Sequence, residues 1–324
     1  MLKKSLKKKI ILLFILGFIW VIGIQAGQAL TDPVKPGTYQ LMLKTEGLRW
    51  RYDLHIPPQY NPNTQIPLVI TLHGTRGNGR YYLNQAFWKD KANEAGFIVA
   101  APYGQPVVRW MPRKTRVWNV SLRPSNPRSQ IDDVQFFRVL LNKLQRNLNI
   151  DPNRIYVVGH SNGGEMAFLL GRELSKQLAA IAAVGSISPV GSSFIEPTST
   201  LPISTLYMTG IKDPLVPLAG GTIVLPSGQE RNIPPLMEFL EYWANAMDCQ
   251  PNPQVVESNF NFQKMSYDRC GNEVNYVVYL IENQGHSWPG GKHQLPVEKF
   301  GPNNPSFKAT DVIWDFFKQQ KRSS

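Results

Sequence analysis

Ser161 stands in Gly159-His160-Ser161-Asn162-Gly163, after the β-branched run Ile155-Tyr156-Val157-Val158 and before an apolar helical run from Met166 to Leu174. A strand that turns sharply into a helix presents a serine hydroxyl above the helix N-terminus. Glycines on either side keep so tight a bend free of side-chain collisions. A neutral serine attacks a carbonyl only when a base takes its proton, and the base needs an acid to orient it. Two histidines follow Ser161 in the chain, His286 and His293. His286 lies in Asn283-Gln284-Gly285-His286-Ser287-Trp288-Pro289-Gly290-Gly291, just after the apolar run Val277 to Ile281. A glycine-rich loop at a strand end suits a mobile base. His293, farther into the loop, reads as solvent-facing. The acid is Asp213, which follows the run Ile203 to Met208 through Thr209-Gly210-Ile211-Lys212. Its rivals are placed less well: Asp248 ends a helical segment, and Asp268 sits beside a cysteine.

Attack on a carbonyl creates an oxyanion, which needs preorganised N–H donors, each worth about 3 kcal/mol. One is the backbone N–H of Asn162, immediately after the nucleophile. The second belongs to the loop after the strand ending at Leu72, where the N–H of Thr75 in His73-Gly74-Thr75 is the choice. His73 precedes the serine and reads as a structural residue that shapes this loop. Trp118 and Trp288 are candidates for an apolar wall against the substrate, with a core or rim position as the alternative for each.

These residues must be held by strands and helices. Thr38 to Lys44 and Leu48 to His55 alternate like a hairpin around Thr45-Glu46-Gly47, while Ile66 to Leu72 and Phe97 to Pro102 are apolar on both faces. One helix is expected from Tyr81 to Ala95 and another from Asp132 to Asn149, with acids at its positive end. Ala179 to Val184 and Ile203 to Met208 read as further strands. Leu236 to Met247 reads as a helix, Val255 and Asn275 to Ile281 as a strand pair, and Ala309 to Lys318 as the closing helix. Strands alternating with helices predict an α/β fold: a mainly parallel, doubly wound sheet with an antiparallel N-terminal edge hairpin.

The chain has 324 residues, 42% hydrophobic and 18% charged, which suits one large domain over residues 30–324. Residues 1–29 differ. Five lysines precede the uncharged run Ile10 to Ile24, and Gly27-Gln28-Ala29 has the small residues of a cleavage site, so the segment reads as a secretory signal. The apolar run, shorter than the roughly 20 residues of a comfortable membrane span, leaves an uncleaved anchor as the lesser reading. The five lysines supply five of the net +12. The moderately basic remainder favours anionic surfaces such as cell-wall polymers, whereas no nucleic acid partner is expected of an exported chain with no binding motif. Arg109, Arg113, Lys114, Arg116, Arg123 and Arg128 cluster in a long polar loop, and solvation of that loop is the reading adopted over a substrate-facing patch. The chain has two cysteines, Cys249 and Cys270. In an exported chain they are expected to pair, closing a loop worth about 3 kcal/mol, against two buried thiols.

Leu72-His73-Gly74, Asp132-Asp133-Val134, Ser161-Asn162-Gly163-Gly164, Asp213-Pro214-Leu215-Val216-Pro217 and His286-Ser287-Trp288-Pro289-Gly290-Gly291 occur in this order from about Gly37 to the C-terminus. Together they resemble the secreted polyhydroxybutyrate depolymerase and feruloyl esterase family of the α/β-hydrolase superfamily. The resemblance implies serine esterase activity without metal or organic cofactor, a triad at Ser161, Asp213 and His286, and pairing of Cys249 with Cys270. The chain departs from the family at Thr75, where members often carry Cys, and at His160, where they often carry another residue. The expected substrate is a carboxylic ester, polymeric or oligomeric: a hydroxyalkanoate oligomer, or a hydroxycinnamate or acetate on a polysaccharide. No obligate protein partner is expected. A peptidase on the same scaffold is less favoured because no large extra domain is visible. A catalytically silent surface-binding protein is disfavoured by the intact Ser, Asp and His.

Overall fold

A computed structural model describes residues 34–106, 115–120, 131–187, 201–225, 228–292 and 295–322. Residues 1–29, most of the basic loop (Arg109, Arg113, Lys114, Arg123 and Arg128) and His293 lie outside the described residues.

The chain opens with β1 (Gly37–Thr45) and β2 (Leu48–Ile56), then β3 (Ile66–Leu72), α1 (Gly79–Gln85), α2 (Trp88–Ala95) and β4 (Ile98–Pro102). A short ribbon, β5 (Gln105–Pro106) with β6 (Arg116–Val117), precedes α3 (Asp133–Asn147), β7 (Ile150–His160), α4 (Asn162–Glu173), β8 (Ala180–Val184) and β9 (Ser204–Gly210). A second ribbon, β10 (Gly221–Val224) with β11 (Glu230–Ile233), leads to α5 (Leu236–Ala246), β12 (Gln254–Ser258), β13 (Phe262–Tyr267), β14 (Tyr276–Ile281), α6 (Val297–Phe300) and α7 (Ala309–Phe317).

Among the described residues ten strands form one sheet in the order β1-β2-β4-β3-β7-β8-β9-β14-β13-β12. Its middle, from β4 through β14, is parallel, and the hairpin β1–β2 supplies the expected antiparallel edge. The opposite edge is also antiparallel, because β13 and β12 follow β14 as a meander. The sequence reading missed β13: Phe262–Tyr267 is only half buried, and its pattern lacks a clear alternation. Successive side chains of the central strands enter opposite layers. Leu68, Ile70, Ile155 and Val157 face α3, α4 and α5, whereas Val69, Val99, Tyr156 and Val158 face α1, α2 and α7.

The expected single helix from Tyr81 to Ala95 is two. Phe87 adopts a left-handed backbone (φ 59°) between them, and Trp88 starts the second helix fully buried. Asp132 caps α3, accepting from the Gln135 N–H at 2.8 Å. Cys249 and Cys270 form a disulfide, tying the end of α5 to the turn after β13.

Candidate active site

The elbow at the end of β7 has the geometry its glycines require. A Cβ on Gly159 would lie 1.9 Å from the carbonyl oxygen of Gly163, and one on Gly163 would lie 2.4 Å from that of Leu72. Ser161 itself takes φ 53° and ψ −125°, a sparsely populated conformation that costs a non-glycine residue about 1–3 kcal/mol. The strain is held by the surroundings: the Ser161 N–H donates to the Val184 carbonyl at 2.9 Å, and its own carbonyl accepts from Gly164 and Glu165.

Ser161, Asp213 and His286 come from the carboxyl ends of β7, β9 and β14, and the parallel register brings them together. The Ser161 hydroxyl meets His286 Nε2 at 2.9 Å, and His286 Nδ1 meets Asp213 Oδ2 at 2.8 Å. The other Asp213 oxygen accepts from the backbone N–H groups of Leu215 and Val216 at 2.8 and 3.2 Å, so the carboxylate is oriented on both sides. Both Asp213 and His286 are buried. The arrangement can pass the serine proton to the imidazole and hold the resulting cation against the carboxylate. Hydrogen bonds tie down the loop that carries His286. The His286 N–H donates to the Phe300 carbonyl, and the buried Gln284 amide donates to the carbonyls of Gly285 and Ser287.

Thr75 and Ser161 line one cavity of about 750 Å³, with Tyr82, Leu215, Trp288 and Phe300 among its apolar walls. In the loop after β3 the Arg76 N–H is spent on the Arg116 carbonyl and the Gly77 N–H on that of Gly74, both at 2.9 Å. Thr75 is left as a backbone donor without a hydrogen-bond acceptor among the described residues. The Asn162 N–H is in the first turn of α4, where helix N–H groups lack intrahelical partners.

His73 is structural, and its bonds define how. Its Nδ1–H donates to the Gly74 carbonyl at 2.8 Å, and its Nε2 accepts from the Gly104 N–H at 2.9 Å. Burial pushes its pKa down to about 4 and keeps it neutral.

The two tryptophans part company. Trp288 lines the cavity, edge-on to Tyr82, with its indole N–H on Thr310 Oγ1 at 3.2 Å. Trp118 does not line it. Its ring is buried behind the loop, packed on His73 and Phe137, and its indole N–H donates to the His73 carbonyl at 2.8 Å. Val117 and Thr115, just before it, face the cavity instead.

Three polar supports escaped the sequence reading. The Asn162 side chain clamps the Trp118 backbone, accepting from its N–H at 2.7 Å and donating to its carbonyl at 3.3 Å. Glu165 joins that amide at 3.1 Å and pairs with Arg231 on β11 at 2.6 Å. His160 bonds Tyr82 on one side and the base loop on the other. The available signal was a polar residue in an otherwise apolar strand end or first helical turn.

Residues 58–228 match the phospholipase/carboxylesterase family over more than half of the chain. The chain belongs to that family. It is 25% identical to feruloyl esterase B of Piromyces equi over 81% of its own length and 44% of that protein. It is 23% identical to feruloyl esterase C of Emericella nidulans, over 82% of this chain and 83% of that one. In fold it is similar to an acetyl xylan esterase from Aspergillus awamori, with a TM-score of 0.57 and 14% identity, covering 87% and 99% of the two chains. The protein is thus an α/β-hydrolase-fold enzyme that hydrolyses carboxylic esters. Among the described residues no helix is long and apolar enough to cross a membrane.

Proposed function

We propose that Ser161, His286 and Asp213 are the catalytic triad of this esterase. The reading is carried by the continuous chain of hydrogen bonds from the Ser161 hydroxyl through His286 to Asp213 at the wall of the cavity. The Ser161 oxygen attacks the ester carbonyl carbon while its proton passes to His286 Nε2. His286 Nδ1–H remains on Asp213, which stabilises the imidazolium. The oxyanion is met by the N–H groups of Thr75 and Asn162. As the C–O bond breaks, His286 returns the proton to the leaving alcohol. Water, deprotonated by the same imidazole, then attacks the acyl-enzyme, and the acid departs with Ser161 restored.

The walls support a substrate class. Tyr82, Trp288, Leu215 and Phe300 favour an apolar acyl group, and the feruloyl esterases among the relatives support a hydroxycinnamate ester on a polysaccharide. A second reading is a hydroxyalkanoate oligomer. It is favoured by Arg76, exposed on the cavity rim, in a lining that contains no carboxylate among the described residues. Such an oligomer carries a terminal carboxylate that Arg76 would attract. Residues 30–324 act as one catalytic domain, exported through residues 1–29.

The deciding assay uses the protein lacking residues 1–29 beside Ser161→Ala, against p-nitrophenyl butyrate, methyl ferulate and the 3-hydroxybutyrate trimer. Loss of the nucleophile removes about a million-fold in kcat. Preference for methyl ferulate supports the aromatic reading, and preference for the trimer over its methyl ester supports the oligomer. Undiminished hydrolysis by the Ala variant overturns the triad.

A further inference from the structure

We infer that His160 is a positioning residue that locks the catalytic base to the nucleophile, resting on the assignment of Ser161 and His286 above. His160 ends β7 and is followed directly by Ser161. Its Nε2 lies 2.7 Å from the backbone carbonyl of His286, and its Nδ1 meets the Tyr82 hydroxyl. One strand end therefore carries the nucleophile on one residue and grips the base on the residue before it.

The tautomer is dictated by the partners. A carbonyl oxygen can only accept, so Nε2 must carry the hydrogen. A neutral imidazole then has its lone pair on Nδ1, and Tyr82 must donate. The group stays neutral because burial, with the neighbouring His286, pushes its pKa down to about 3. The titratable groups around it are Tyr82 from α1, whose hydroxyl burial raises well above its ordinary value, and His286 with Asp213 behind it.

The packing makes this a three-way junction. The His160 and His286 rings stand 5.0 Å apart. A Cβ on Gly74 of the oxyanion loop would lie 3.1 Å from Ser161 Cβ and 3.5 Å from His160 Nδ1. The Tyr82–His160–His286 line thus runs along the cavity wall from α1 to the base loop, beside the nucleophile. Gln284, Phe300 and Pro302 also hold the base loop, but from the side of β14 and α6. Of these bonds to the loop, that of His160 is the one made from the nucleophile's own strand. Without it the His286 carbonyl loses its partner and the imidazole is free to drift from Ser161. A displacement near 1 Å is costly for a proton transfer that needs hydrogen-bond contact.

The test compares His160→Leu and His160→Gln on p-nitrophenyl butyrate, with Ser161→Ala alongside. Leucine removes both bonds. Glutamine places an Nε2 donor at the same number of bonds from Cβ, with an acceptor oxygen beside it. The expected result is a fall in kcat of about 10- to 100-fold for H160L with KM little changed, and recovery of most of that loss in H160Q. Tyr82→Phe should lower kcat less, and adding it to H160L should cost no more than H160L alone. Wild-type kcat in H160L, or an H160Q no better than H160L, overturns the inference. If H160L does not fold, the ring nitrogen shifts of wild-type His160 decide by NMR: hydrogen on Nε2 supports the lock, and hydrogen on Nδ1 overturns it. An inert Ser161→Ala beside a fully active H160L removes this inference and leaves the triad standing. An active Ser161→Ala removes the triad itself.

Discussion

His73 and His286 are both buried imidazoles within reach of the nucleophile elbow, yet they do opposite work. Both ring nitrogens of His73 bond backbone groups, the Gly74 carbonyl and the Gly104 N–H. A backbone N–H donating to Nε2 occupies the lone pair that would accept a proton, so His73 is fixed as a neutral strut. The ring nitrogens of His286 bond side chains, a carboxylate and a hydroxyl. Its Nε2 can take a proton from the hydroxyl, and the carboxylate stabilises the cation that results. Burial is common to the two, and the chemistry of the partners separates the strut from the proposed base. His160 falls on the strut side, since the Tyr82 hydroxyl donates to its Nδ1 and its Nε2–H is spent on a carbonyl, with the difference that this carbonyl belongs to the proposed base.

The sharpest way to break this contrast is Asp213→Asn. The amide removes the charge that stabilises imidazolium and can present its N–H to Nδ1, which turns the ring to the wrong tautomer. Stopped-assay kinetics should show kcat lower by about ten-thousand-fold with the fold intact. If the loss is below tenfold, Asp213 is not the orienting acid.

His73→Leu tests the other side of the comparison. It strands the buried Gly104 N–H, at a cost of about 1–3 kcal/mol, while the Gly74 carbonyl keeps the Gly77 N–H as its partner. Urea unfolding should show a loss of about 2 kcal/mol, measured apart from activity. A variant as stable as wild type would mean that water replaces the ring and that the strut is dispensable.

The smallest effect is acid sensitivity. The His73 and His160 pKa values are lowered from 6.5 to about 4 and about 3. Below pH 6.5 the unfolded chain binds protons at these positions while the folded protein does not, so stability falls as the pH drops from 6.5 toward 4. Each histidine contributes about 1.4 kcal/mol per pH unit, or about 2 kcal/mol between pH 6.5 and 5. H73L should lose about half of the slope that the pair produces. Equal slopes in variant and wild type would show that His73 is protonated in the folded state.

The polar residues at strand ends were legible in the sequence because each sits in a local pattern. The strand before Ser161, the glycines around it, Asp213 after an apolar run and His286 in its glycine-rich loop all read without knowledge of their neighbours. The parallel sheet and the leading hairpin were legible for the same reason. Element junctions were less so. Phe87 breaks a segment whose composition suits one helix, because burial of Trp88 outweighs helical continuity there. The half-buried β13 was missed, and for Trp118 the wall and the core both stayed open, because a tryptophan in a long loop carries no sign of which way it faces.

What the chain determines by itself, then, is the order of the parts of the proposed chemistry: an elbow serine, then the proposed acid and base, at the ends of β7, β9 and β14, since local backbone geometry is written in adjacent residues. Which polar side chains support them was decided by the tertiary structure alone. His160 bonds His286 across 126 residues, Tyr82 lies 78 residues from His160, and the Asn162 amide holds Trp118 from 44 residues away. A hydrogen bond is a relation between two groups in space, and nothing near either one in the sequence specifies the other.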